Sequence, residues 1–121
     1  GAVTHNRRLE VLGRMVWKEV CKLSQLREGE LRRVDLDDVE LLVVRIGERV
    51  LVADTWCTHQ RSDLTLGILE GKRVRCALHQ ALFDLETGQV VEGPSGEPPS
   101  SIRALRTYRV KIEGDTVFAD V

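Results

Sequence analysis

The sequence predicts an all-β domain built from antiparallel strands. From Trp17 onward, runs rich in β-branched residues alternate with glycine-containing turns, which is the pattern of short strands joined by hairpins. Three Gly-X pairs each separate two such runs by two residues, as type II′ turns do. The chain has 121 residues, enough for one domain with a substantial core and too few for a second. The three pairs are Gly47-Glu48, Gly71-Lys72 and Gly114-Asp115.

The individual elements follow from the same pattern. Residues 1–16 are a polar lead-in, expected to be flexible or helical, and residues 17–121 are expected to form the domain. The run Val50–Ala53 is apolar throughout and predicts a central core strand. Apolar and polar side chains alternate over Tyr108–Glu113, which predicts a half-buried strand. The predicted strands are Trp17–Leu23, Leu31–Asp35, Glu40–Ile46, Val50–Asp54, Arg73–Cys76, Leu82–Asp84, Tyr108–Glu113 and Thr116–Asp120.

Charge and hydropathy argue against two classes of partner. The 18 basic and 19 acidic residues nearly balance, giving a formal net charge of −1, so the composition does not indicate a nucleic-acid partner. No apolar run approaches the roughly 20 residues that span a bilayer, and no signal-peptide pattern opens the sequence. We therefore expect neither a nucleic-acid nor a membrane partner.

Two short segments carry candidate metal ligands: Cys57-Thr-His59 and Cys76-Ala-Leu-His79, termed here the first and second knuckles. A zinc finger usually has both cysteines in one segment and both histidines in the other. In this chain each segment has one of each, which suits a two-metal site with thiolates on one metal and imidazoles on the other. A mononuclear Cys2His2 zinc site is the alternative, since zinc accepts the same donors.

The residues around the knuckles resemble the Rieske-type [2Fe–2S] ferredoxin family. The resemblance includes C-A-L-H-Q-A-L-F-D-L-E-T-G from Cys76 onward, and Gly93–Pro99 (G-P-S-G-E-P-P) resembles the family's third, cluster-shielding loop. With the flanking strands it extends from Trp17 to the C-terminus. The family often has Gly directly after each ligand histidine, where this chain has Gln60 and Gln80.

The resemblance implies both a fold and a ligand set. The implied fold is an antiparallel Rieske-type β-sandwich or incomplete barrel, into which a small cluster-binding subdomain of residues 55–99 is inserted. Cys57 and Cys76 would bind the buried iron of one [2Fe–2S] cluster, and His59 and His79 the outer iron. No catalytic residue is implied.

Cysteine usage distinguishes two branches of that family. Members in respiratory and photosynthetic membranes have two further cysteines that form a disulfide, and Ser62 and Leu78 stand at those positions here. The chain has three cysteines, and Cys21 is the one that remains once Cys57 and Cys76 are assigned to the cluster. It therefore has no partner for a disulfide within the chain. The chain therefore resembles the soluble, disulfide-free ferredoxins, and we expect a cytoplasmic, reducing location.

Two residues near the second knuckle imply a low reduction potential. High-potential members of the family have a Ser two residues, and a Tyr four residues, after the second ligand histidine, and both hydroxyls donate to the cluster. Ala81 and Phe83 occupy these positions and have no side-chain donor. Hydrogen bonds to cluster sulfurs raise the potential, so their absence predicts a low-potential centre.

The implied function is one-electron transfer by a monomeric ferredoxin, from a flavin reductase to a terminal oxygenase. The alternatives are the small Rieske subunit of a nitrite reductase and a zinc-stabilised Cys2His2 interaction module. Catalysis by the chain itself is not expected. A Rieske oxygenase needs a second iron held by two His and a carboxylate, and His5 is the only histidine outside the knuckles.

Overall fold

The computed structural model describes residues 16–121, in which eleven strands and four short 3₁₀ turns are present and α-helix is absent. The lead-in prediction thus falls almost entirely outside the described residues. None of the described helices is long and apolar enough to cross a membrane. The strands are β1 Trp17–Lys22, β2 Arg32–Asp35, β3 Glu40–Ile46, β4 Arg49–Asp54, β5 Ile68–Glu70, β6 Arg73–Arg75, β7 Leu82–Asp84, β8 Val90–Glu92, β9 Thr107–Tyr108, β10 Val110–Glu113 and β11 Thr116–Asp120.

The strands form three antiparallel sheets, which confirms the predicted all-β class. The sheet orders are β1-β11-β10, β2-β3-β4-β9 and β5-β6-β7-β8. The three Gly-X pairs form the predicted two-residue hairpins, because the flanking residues pair directly. Gly47, Gly71 and Gly114 have φ of 63°, 64° and 61°, while the second turn residues have negative φ, as type II′ geometry requires.

The four-stranded sheet containing β3 and β4 is the middle layer of the molecule. Along β4, Val50 and Val52 pack against the three-stranded sheet, whereas Leu51 and Ala53 pack against the core that contains both knuckle cysteines. All four side chains are buried, which confirms the predicted central strand. Because side chains alternate between faces, this strand contributes to two separate cores.

One predicted strand is wrong, and two strands are absent from the predicted list. The predicted strand Tyr108–Glu113 is divided at Arg109: β9 pairs with β4, whereas β10 pairs with β11 in another sheet. The chain changes sheets there, and Ile112 at its far end is 36% exposed. Strand β8 was not predicted, and β5 was implied only as the run before the Gly71-Lys72 turn; each has three residues, none of them buried.

Candidate metal centre

The first knuckle is a loop that closes on itself after β4. The Cys57 N–H donates to the Ser62 carbonyl at 2.9 Å. The N–H groups of His59 and Gln60 act to lower the pKa of the Cys57 thiol. The Thr58 hydroxyl donates to the Arg103 carbonyl at 2.6 Å, which attaches the knuckle to the segment before β9. The loop thus directs main-chain donors toward the thiol and is fixed from outside.

Asp63 anchors the end of this loop to its beginning. Its Oδ1 atom accepts hydrogen bonds from the Thr55 hydroxyl at 2.6 Å and from the N–H of Thr65 at 3.0 Å. Arg33 pairs with Oδ2 at 3.2 Å. Burial raises the pKa of Asp63, but the hydrogen bonds from Thr55, Thr65 and Arg33 outweigh it, so the pKa lies below its ordinary value.

Trp56, directly before Cys57, connects the first knuckle to β3. The Arg33 and Arg61 guanidinium carbons lie 4.9 Å and 4.1 Å from the indole centroid. The indole N–H donates to the Glu40 carboxylate at 3.2 Å. The half-buried tryptophan is thus held by two cation–π contacts and a hydrogen bond.

The second knuckle is a tight turn between β6 and β7. The Cys76 N–H donates to the Ala81 carbonyl at 2.8 Å, and the Gln80 N–H donates to the Cys76 carbonyl at 3.0 Å. Gln80 has φ of 66°, in the left-handed region. A non-glycine residue pays about 1–2 kcal/mol there, which explains why glycine suits the position after a ligand histidine. Gln60, after the other histidine, does not have positive φ.

The fold brings the four knuckle side chains together in two pairs. The Cys57 and Cys76 side chains are 7% and 2% exposed and lie within hydrogen-bond reach of each other. The pKa of the Cys57 thiol is raised, chiefly by burial and further by Cys76, against the opposing effect of the His59 and Gln60 N–H groups. The His59 and His79 rings meet edge to face, with centroids 4.9 Å apart.

The donor set fits a cluster with two different irons. His79 Nδ1 is buried and lacks a hydrogen-bond partner among the described residues. A buried imidazole nitrogen without a partner is unfavourable, and coordination to a metal would satisfy it. Among residues 16–121, no three Cys, His, Asp or Glu side chains converge on one point where an ion could be held. Two protein ligands per metal is the arrangement of a Rieske centre.

A third loop, Gly93–Pro99, contacts the second knuckle. The Ser95 N–H donates to the His79 carbonyl at 2.8 Å. Gly93 allows the loop to close tightly, because a Cβ atom there would lie 2.1 Å from the Glu97 carbonyl oxygen. The family resemblance implied a loop at this place, and its main chain fixes the carbonyl of a candidate ligand.

Arg75 is the residue of this region that the sequence did not reveal. Its guanidinium contacts the second knuckle and two carboxylates, Glu70 and Glu92, that lie on β5 and β8. The sequence indicated β5 only through the Gly71-Lys72 turn and did not indicate β8, so the local pattern did not reveal these contacts. Only the pairing of β5, β6, β7 and β8 brings the three side chains together.

Comparison with known proteins agrees with this geometry. A family model described as Rieske [2Fe-2S] domain matches residues 16–109. The ferredoxin component of a naphthalene 1,2-dioxygenase system from Pseudomonas aeruginosa is 31% identical over 105 residues, covering 87% of this chain and 95% of that protein.

Two solved structures are similar in fold. The Sphingomonas yanoikuyae B1 ferredoxin has a TM-score of 0.77 and 28% identity, covering 88% of this chain and 99% of that one. A complex of reduced oxygenase and oxidized ferredoxin in carbazole 1,9a-dioxygenase contains a chain with a TM-score of 0.74 and 27% identity, covering 88% of this chain and 94% of that one.

The chain therefore belongs to the Rieske [2Fe-2S] domain family. Its cofactor is a Rieske-type [2Fe–2S] cluster. Within the family it is a ferredoxin, an electron-transfer protein and not itself a catalyst.

Proposed function

We propose that Cys57 and Cys76 hold one iron of the cluster and that His59 and His79 hold the other. The proposal is supported chiefly by one observation, the buried Nδ1 atom of His79, which has no partner among the described residues and belongs to a ring that packs against His59. Thiolates are soft donors suited to iron–sulfur clusters, and imidazole suits iron as well. When bound, the cluster would accept and release one electron.

The protein's own residues would do three things at this site. Burial of both cysteines would keep water from the thiolates. The His59 and Gln60 N–H groups would stabilise negative charge on the Cys57 sulfur. The contacts from Thr58 to residue 103 and from Ser95 to His79 would hold the histidine-bearing edge in place, so that little reorganisation accompanies electron transfer.

We further propose that the chain carries electrons from a flavin reductase to a terminal oxygenase, as a cytoplasmic monomer. The similar chain in the carbazole dioxygenase complex and the naphthalene dioxygenase ferredoxin component support this role. The proposed domain is residues 17–121, with a cluster-binding subdomain of residues 55–99. No observation favours a nitrite reductase subunit. The match to the Rieske [2Fe-2S] family model supports a cluster over a zinc module, in which all four donors would surround one ion.

The test is an anaerobic dithionite titration of the purified protein, followed by visible absorption and low-temperature electron paramagnetic resonance (EPR). We expect a red-brown protein that bleaches on uptake of one electron and gives a rhombic Rieske-type signal. Cys76→Ser and His79→Gln should abolish that signal. Cys21→Ala is the matched control, since Cys21 is buried in the other core, and it should retain the signal. A colourless protein with stoichiometric zinc would refute the proposal.

A further inference from the structure

The Arg75 guanidinium uses all five of its N–H donors. Nε donates to Glu70 Oε2 at 2.7 Å and Nη2 to Glu70 Oε1 at 3.2 Å. Nη1 and Nη2 donate to the two Glu92 oxygens at 3.2 Å and 3.3 Å. The remaining Nη1 hydrogen goes to the Gln80 carbonyl at 3.1 Å. The Arg75 side chain is only 22% exposed. Its guanidinium is therefore held by hydrogen bonds to protein groups and is not a solvated surface charge.

The contact with Gln80 lies at the most constrained point of the second knuckle. Gln80 has left-handed φ, which an L side chain rarely adopts. Three consecutive main-chain groups after the His79 ring are fixed: the His79 carbonyl by Ser95, the Gln80 N–H by Cys76 and the Gln80 carbonyl by Arg75. Of these three contacts, only the one from Arg75 is made by a side chain. A substitution of Arg75 can therefore remove that contact and leave the two main-chain contacts in place.

We propose that Arg75 is a positioning residue for the cluster site. It holds Gln80 in the left-handed conformation and thereby fixes the imidazole of His79. This inference rests on the proposed role of His79 as an iron ligand. Outer contacts of this kind orient metal ligands and affect both the affinity and the electronic properties of the metal. Lysine cannot replace the arginine, because one ammonium group cannot span two carboxylates and a carbonyl in a planar fork.

A purely structural role for Arg75 makes a different prediction. If the arginine only connects β5 to β8 through its carboxylate partners, removing one carboxylate should have the same kind of effect as removing the guanidinium. If it acts through Gln80, Glu92→Gln should be mild, since Arg75 keeps Glu70 and the Gln80 carbonyl. Arg73→Gln is the matched control on the same strand, because Arg73 is exposed and makes no side-chain hydrogen bond among the described residues.

The experiment measures the EPR g values and the rate of cluster loss under a chelator for the holoprotein and four variants. In Arg75→Lys and Arg75→Gln we expect shifted g values and cluster loss faster by about ten- to a hundredfold, the range for outer contacts of metal ligands. Glu92→Gln and Arg73→Gln should keep the wild-type g values and loss rate. The lysine variant is the milder one and keeps the test valid where the glutamine variant fails to fold.

A second substitution tests the mechanism itself. Gly occupies the left-handed region without strain, so Gln80→Gly should make the Arg75 contact dispensable. The double variant Arg75→Lys, Gln80→Gly should recover the wild-type g values, which a structural loss would not allow. Wild-type g values in Arg75→Lys alone, or a double variant as impaired as Arg75→Lys, would overturn the inference while leaving the proposed function intact. A wild-type protein without a Rieske signal would overturn both.

Discussion

The core between the three-stranded and middle sheets and the region around the knuckles are stabilised in different ways. The core is lined by aliphatic side chains from long strands, and residues such as Leu41 and Val43 are fully buried. The knuckle region has three-residue strands held by directed contacts, made by side chains such as Asp63, Thr58 and Arg75. Apolar burial is non-directional, whereas hydrogen bonds fix positions.

The difference indicates that stability and cluster geometry depend on separate residues. Substitutions in the core should lower the free energy of unfolding and leave the spectroscopic properties of the cluster unchanged. Substitutions of the directed contacts should alter the cluster with smaller losses of stability. The expected outcomes below test this separation, in order of decreasing effect.

Leu41→Ala should cause the largest loss of stability. Leu41 lies on β3 and is 0% exposed, so its truncation leaves a cavity and should cost about 2–5 kcal/mol. Urea unfolding measures the loss, and EPR of the folded protein should give wild-type g values. Leu66→Ala, at a position 76% exposed, is the control and should change stability by less than about 0.5 kcal/mol. Shifted g values in Leu41→Ala would show that the two regions are coupled.

Asp63→Asn should lower stability near neutral pH by about 1.5–3 kcal/mol, the usual contribution of hydrogen bonds to a charged group. Four groups from three residues donate to this carboxylate: the Arg33 guanidinium, the Thr55 hydroxyl, and the N–H and hydroxyl of Thr65. Urea unfolding at pH 7 measures the effect. A loss as small as that in Asp37→Asn, at an exposed position, would mean that the carboxylate does not anchor the loop.

The same carboxylate should contribute to acid sensitivity. Its folded-state pKa lies below the ordinary value of 3.8, so the unfolded state binds the proton more readily. The stabilisation is fully present above that value and is lost as the pH falls through the folded-state pKa. The wild type should therefore lose more stability than Asp63→Asn between about pH 4 and pH 2. Parallel pH profiles for the two proteins would contradict this assignment.

Phe83→Tyr should raise the reduction potential, because it restores a hydroxyl at a position that is fully buried in the core shared with the knuckle cysteines. In a one-electron couple 59 mV corresponds to a factor of ten, so one added hydrogen bond should raise the potential on the order of 60 mV. Phe118→Tyr is the matched control, on β11 in the other sheet, and should leave the potential unchanged. An unchanged potential in Phe83→Tyr would contradict the prediction that the missing hydroxyl lowers the potential.

Gln80→Gly should produce the smallest effect, a gain in stability of up to about 1.5 kcal/mol. Relief of left-handed strain, about 1–2 kcal/mol, is partly offset by the entropy that glycine loses on folding, about 0.5–1 kcal/mol. Gln60→Gly is the matched control and should destabilise, since that residue does not have positive φ. Equal effects of the two substitutions on the urea midpoint would show that the conformation of Gln80 carries no strain.

The sequence predicted the core more completely than the knuckle region, for a physical reason. The apolar run on β4 and the three glycine turns depend on neighbours in the chain, so local pattern is sufficient to find them. Strands β5 and β8 are short and have no buried side chain, so they depend on the sheet that they join more than on a pattern of their own. The division at Arg109 likewise depends on which sheet offers a free edge.

The candidate ligands were predictable and their supporting contacts were not. Two mixed Cys and His segments at short spacing indicated Cys57, His59, Cys76 and His79, and the structure brings their side chains together in pairs. Their role as ligands stays a prediction. The five contacts of Arg75 arise from strand register and loop closure, which no local pattern encodes.

The middle sheet restricts how this protein can vary in length. Because neighbouring residues of β4 face different cores, deletion of a single residue from that strand would exchange the linings of both cores at once. An insertion within β3 would shift its pairing with β4 in the same way. Length changes should therefore accumulate at exposed loop positions outside the strands, where they do not shift the pairing of any strand.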